Sequence, residues 1–218
     1  MIPKLSSSAV ALALAFTHPS KPATAEPDLA AVRAATARFQ DVKVAIAEGY
    51  VRDPMDICDT APMMGRPASL GSMGIHYFRP DLLGITGPPN PRVNGKGTHT
   101  DFLKPGILIY EPRADGSLAL VAVENLVFRW AWREAGNSEP PSFHGVPYDL
   151  MEDDPSTKVD EAHMFEPHYD RHVWLYRDNP LGMFAQFNPN ATCTPRTSRR
   201  RSGGTLHCRR RSTACRGR

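Results

Sequence analysis

Ile107-Leu108-Ile109-Tyr110-Glu111 and the longer run from Leu118 to Phe128 (LALVAVENLVF) decide the fold. Both are rich in β-branched and aliphatic residues, and the segment between them contains Asp115-Gly116, a dipeptide suited to tight turns. They predict an antiparallel hairpin. With Asp115-Gly116 as a two-residue turn, Glu111 would lie opposite Leu120 and Glu124 opposite Ile107. The two glutamates would share one face, offset by about 13 Å at ~3.3 Å per residue. They could not ligate one ion together.

Upstream, Asp28 is a good N-cap for a helix over about 29–48. Val32, Ala35, Phe39, Val42 and Ile46 form one apolar stripe, and Gly49 is a suitable stop. Residues 51–72 read as an ordered loop, Ile75 to Phe78 as a short strand ended by Pro80, and 84–106 as a long Gly- and Pro-rich surface loop. Downstream, 134–167 is loop-like, and His172-Val173-Trp174-Leu175-Tyr176 reads as a last strand. The expected fold is α+β: one N-terminal amphipathic helix packed on a small antiparallel β-sheet with long loops.

The 218 residues divide into three parts. Lys4, the apolar run Ala9 to Phe16 and Ala23-Thr24-Ala25 have the order of a cleavable secretory signal, so residues 1–25 are expected to be removed and 26–193 to form a single exported domain, periplasmic or secreted. Residues 194–218 hold nine Arg and no acid. Setting these and the two Lys of 1–25 aside leaves 15 basic residues against 23 acidic ones, a net charge of about −8 for the domain. That excludes a basic nucleic-acid-binding surface there and favours a disordered appendage for the tail. No apolar run is long enough for a membrane span. Heptads, a glycine period and internal repeats are absent, which excludes coiled coil, collagen and solenoid.

The four cysteines, Cys58, Cys193, Cys208 and Cys215, form no C-x-x-C. Export permits disulfides, and Cys58 with Cys193 would tie the end of the domain to an early loop; two free thiols are the alternative.

Gly71-Ser72-Met73-Gly74-Ile75-His76-Tyr77, Leu108-Ile109-Tyr110-Glu111-Pro112, Leu120-Val121-Ala122-Val123-Glu124, His168-Tyr169-Asp170-Arg171-His172-Val173-Trp174 and Asn179-Pro180-Leu181-Gly182-Met183-Phe184, with Asn188-Pro189 and Cys193, together resemble a group of uncharacterised secreted bacterial proteins. The resemblance spans roughly residues 35–193, implies a secreted domain and brings no activity. Similar proteins usually carry an aromatic where this chain has Asn125, and they end soon after the final Cys.

The chemistry lies in carboxylates and histidines within or beside apolar strands. A buried carboxylate needs a cation, a metal or hydrogen-bond donors, and His with Glu suits zinc, copper or iron. The favoured set is His76, Glu124 and His172, with His168 and Glu111 as substitutes: two histidines and one carboxylate with coordination positions left open. The bland alternative is a set of satisfied polar groups, the glutamates pairing with Arg79, Arg129 or Arg171. His99 and His144 stand on loops. Phe128, Trp130 and Trp132 share strand parity with Glu124 and could line a small-molecule pocket or pack on the helix. Nucleophile elbow, P-loop, H-E-x-x-H and Rossmann patterns are absent.

Three functions are compatible with these residues. One is an exported domain binding a transition metal or small polar ligand. A second is a metal-dependent enzyme with an open position, and the third a structural or partner-binding domain without metal. Whether the chain is an enzyme, and its oligomeric state, are left open by the sequence. Deleting 194–218 is expected to leave the melting temperature nearly unchanged; a large drop would mean that the tail packs on the domain.

Overall fold

A computed structural model describes residues 26–53, 55–85 and 92–194. The proposed signal and the Arg-rich tail lie outside the described residues, except Thr194. The fold is α+β, built on an antiparallel sheet of seven strands. Its strands are β1 (Val51–Arg52), β2 (Asp59–Thr60), β3 (Ser72–Phe78), β4 (Ile107–Pro112), β5 (Leu118–Phe128), β8 (Asp149–Met151) and β9 (His168–Val173). The order across the sheet is β1-β3-β4-β5-β9-β8, with β2 following β1 along the same edge of β3. A separate small hairpin joins β6 (Ser142–Phe143) and β7 (Val146–Pro147).

The β4–β5 hairpin is present, with a wider connection and a bulge. Pro112 pairs with Leu118, and Arg113 and Ser117 close the loop by a backbone hydrogen bond of 2.8 Å. Ile107 pairs with Glu124 as the alternation predicts. Between Ile109↔Ala122 and Tyr110↔Leu120 the register slips by one, leaving Val121 without an opposite residue. Glu111 therefore faces Ala119 rather than Leu120. A bulge adds one residue to one strand and bends it.

The predicted helix is interrupted. Asp28 caps α1 (Leu29–Thr36), accepting from the Ala31 N–H at 2.6 Å. A 3-10 turn, Ala37–Gln40, follows, and Asp41 then caps α2 (Val42–Ala47) through the Lys43 N–H. The Thr36 hydroxyl bonds back to the Val32 carbonyl at 2.8 Å, a contact that bends helices. The break turns Ala45 rather than Ile46 toward the core, and Ile46 is exposed. Gly49, at φ +93°, ends the segment as predicted. Val32, Phe39 and Ala45 pack with Tyr77, Leu108, Tyr110, Val123 and Val127 on one face of the sheet.

Two further boundaries move. β3 begins at Ser72, not Ile75, and β9 runs over His168–Val173, not from His172 to Tyr176. The stretch 134–167, read as loop, carries edge strand β8 and the β6–β7 hairpin. A short helix α3 (Pro80–Leu83) follows β3, and α4 (Arg129–Glu134) follows β5 directly.

The second face of the sheet carries Phe78, Ile107, Ile109, Ala122, Leu126 and Phe128 and is covered by loops and by the short helices α3 and α4, through Leu83 and Ala131. Residues 55–64 and the loop 160–165 line a cavity against this face beside His76 and Glu124. Gly74, at φ +123°, sits opposite Asp59; a Cβ there would lie 2.7 Å from the Tyr110 carbonyl oxygen. Only glycine readily allows this bend.

Cys58 and Cys193 form a disulfide, Cα–Cα 5.6 Å, across 135 residues of chain. It anchors the segment that delivers Asp59 to β3. Replacing both cysteines by Ser is expected to cost about 2–5 kcal/mol of stability; an unchanged denaturation midpoint would contradict that role.

Candidate metal centre

Glu124 lies within β5, between β4 and β9, and its carboxylate is buried. Strand register supplies its neighbours. His172 on β9 stands directly opposite it. His76 on β3 pairs with Ile109, and Glu124 with Ile107, so His76 approaches diagonally across β4.

Both rings point a nitrogen at one oxygen. His76 Nε2 is 3.4 Å and His172 Nε2 is 3.5 Å from Glu124 Oε2. The three donor atoms all lie within 4.8 Å of one another. These separations exceed the usual N–H···O range of ~2.7–3.2 Å. They match the ligand–ligand edge of about 3.0–3.4 Å around an ion with bonds of ~2.1 Å. Glu124 Oε2 and both ring nitrogens of His172 have no hydrogen-bond partner.

His76 has a supporting carboxylate. Its Nδ1 is 2.9 Å from Asp59 Oδ2 on β2. Once Nε2 gives up its proton, Nδ1–H donates to Asp59 and the Nε2 lone pair is directed to the cluster. This is the carboxylate–histidine arrangement that orients metal ligands and raises their basicity.

The electrostatics divide the histidines. Burial opposes charge on His76, but the carboxylates of Asp59 and Glu124 outweigh it and lift its pKa well above the usual value. His172 is pushed down to about 4 by burial, against the pull of Glu124. His168 is likewise lowered to about 4 by burial. Burial also opposes charge on Glu124, yet His172 and His76 keep its pKa below the ordinary value. Asp170 is driven the other way, well upward, by burial and the nearby charge of Glu124.

Of the residues singled out from sequence, His76, Glu124 and His172 converge. His168 does not join them: its Nδ1 lies 2.9 Å from the Glu166 carbonyl oxygen. Glu111 pairs with Arg177, not with Arg79, Arg129 or Arg171. Those arginines meet Asp81, Glu152 and Asp149. Phe128, Trp130 and Trp132 are separated, because Arg129 starts a helix and ends the strand alternation. Phe128 is buried, Trp130 donates to Asn94 at 2.6 Å, and Trp132 donates to the Glu139 carbonyl at 2.7 Å. His99 contacts the Lys104 carbonyl, and His144 contacts the backbone of Pro27.

Three residues were missed. Asp59 sits on a two-residue strand with no alternation to mark it; its only sequence signal is adjacency to Cys58. His163, at φ 50°, places Nδ1 3.8 Å from Asp59 Oδ1 and buries an unpartnered Nε2. Asp170 lies between His168 and His172 in strand alternation, which H-Y-D-R-H would have revealed once read as strand from its first residue. A cavity of about 180 Å³ borders His76, Glu124, Asp59, Asp170 and His163. His172 stands behind it, 1% exposed.

The buried neutral histidines make a pH prediction for the metal-free protein. His168 and His172 take up protons near pH 4 when folded and near ~6.5 when unfolded. Their contribution to stability is complete above ~6.5 and is lost as the pH falls toward 4. His76 behaves oppositely, its contribution being present below ~6.5 and lost as pH rises through its elevated pKa. Denaturant titrations are expected to show the loss of stability from His168 and His172 between pH 6.5 and 4, opposed by Asp170, whose raised pKa adds stability as the pH falls; stability rising throughout this interval would contradict the burial of these rings. The chain matches no family model, no curated protein and no solved structure, so the site is read from its own geometry.

Proposed function

We propose that this chain is an exported metal-binding domain holding one divalent transition ion, zinc, copper or iron, on His76, Glu124 and His172. The observation that carries the reading is His172. Both of its ring nitrogens are buried without a hydrogen-bond partner, and one is aimed at an equally unpartnered carboxylate oxygen. Leaving a buried polar group unsatisfied costs roughly 1–3 kcal/mol, which a satisfied internal network would avoid. A metal ion would satisfy His172 Nε2, Glu124 Oε2 and His76 Nε2 together, and Asp59 would hold His76 in the required tautomer. The Cys58–Cys193 bridge and the absence, among the described residues, of any helix able to cross a membrane are compatible with secretion.

The cavity beside His76 and Glu124 favours a second reading. Three protein donors leave at least one coordination position, and a metal with an open position facing about 180 Å³ could activate water or oxygen. A purely structural or partner-binding role would leave His172 Nε2 its 3.5 Å approach to Glu124 Oε2, longer than a good hydrogen bond.

His172→Ala is expected to abolish stoichiometric metal, measured by elemental analysis; unchanged metal content would defeat the assignment. Asp59→Asn is expected to weaken affinity by about 10–100-fold while leaving one equivalent at saturation. Wild-type affinity in that variant would remove Asp59 from the centre.

A further inference from the structure

The metal reading leaves the identity of the ion open, and methionines bear on it. Seven methionines lie beyond residue 25. Five of them, Met55, Met63, Met64, Met73 and Met164, line the one cavity that also exposes His76 and Glu124. Met64 and Met73 are buried against Ala61 and Phe187 and serve as ordinary core. The other three have no such explanation. Met55 and Met63 are 46% and 49% exposed, although burial of such apolar side chains is favourable. They come from the segment after β1 and from the 3-10 turn Ala61–Met64, while Met164, at φ 67°, comes from the facing loop before β9. Three separate segments therefore bring a methionine to the lining of the same cavity, and the disulfide at Cys58 pins the segment between two of them.

A thioether is an uncharged, soft donor. It binds Cu(I) and gives little to zinc, iron(II), magnesium or calcium. Imidazole also suits copper, and the unpartnered Nε2 of His163 lies on the same cavity. Soft sulfur, imidazole and carboxylate thus line one cavity. We propose that Met55, Met63 and Met164 form a Cu(I) capture site in the cavity that also borders His76 and Glu124, and that copper is the ion this protein handles. The copper remains Cu(I) on capture, so no electron donor or acceptor is needed, and no transfer to the divalent centre is part of the proposal; the capture site does not rest on the metal reading of that centre.

Leucine nearly conserves the volume and apolarity of methionine and removes only the sulfur. The test is therefore Met55→Leu/Met63→Leu/Met164→Leu in the whole protein, titrated anaerobically with Cu(I) against the chromophoric chelator bicinchoninate. Co(II) absorption reports the His/Glu centre in parallel. The wild type is expected to take up Cu(I), and the triple variant to bind it roughly tenfold or more weakly, the scale on which lost supporting groups weaken metal sites, with Co(II) binding unchanged. Equal Cu(I) affinity in the two proteins, as expected of an apolar pocket indifferent to sulfur, would overturn the proposal, as would no Cu(I) uptake by the wild type. Methionine-dependent Cu(I) uptake in a protein that binds no Co(II) would uphold the capture site and sink the His/Glu centre.

Discussion

The carboxylate of Glu124 is the constraint around which the rest is arranged. It lies inside the sheet, removed from water, where an isolated charge would be prohibitively expensive. Its pKa is nonetheless held below normal by the two histidines directed at it. Each histidine comes from a different strand, and one is backed by Asp59 from a fourth. The sheet order brings β3, β5 and β9 close enough for these side chains to meet, and the disulfide fixes the short strand that carries Asp59.

The two faces of the sheet do different work. One is closed by α1 and α2 with an apolar interface of aromatic and aliphatic side chains. The other mixes apolar residues with the His/Glu/Asp group and is roofed by irregular segments. The short helices α3 and α4 pack there through Leu83 and Ala131, the two-residue β2 supplies Asp59, and loops supply His163 and Met164 at single positions. The arrangement is that of a sheet carrying the buried His/Glu/Asp group, with loops lining the cavity beside it.

Much of this was legible in the chain. The hairpin, the α+β class, the pairing of Glu124 with Ile107 and the grouping of His76, Glu124 and His172 follow from alternation and residue type, and the Cys58–Cys193 bridge from the expected export and the two cysteines' positions. What stayed hidden has physical reasons. The bulge at Val121 is invisible because LALVAV is uniformly suited to either register. The helix break at Thr36–Asp41 leaves the apolar spacing intact, and only the capping ability of Asp41 hints at it. Asp59 depends on a contact made across the fold. The aromatic pocket proposed for Phe128, Trp130 and Trp132 assumed that strand parity continued past Phe128, where α4 begins. The electrostatic partner of Glu111 came from Arg177, 66 positions away, beyond the reach of local pattern.

The central claim is that Glu124, His76 and His172 are ligands of one ion. Anomalous diffraction from crystals of untagged protein purified from its native compartment measures this most directly. The account predicts a single strong anomalous peak about 2.0–2.2 Å from His76 Nε2, His172 Nε2 and Glu124 Oε2. A well-folded protein with no anomalous scatterer there, and His172 hydrogen-bonded to Glu124 alone, would contradict it.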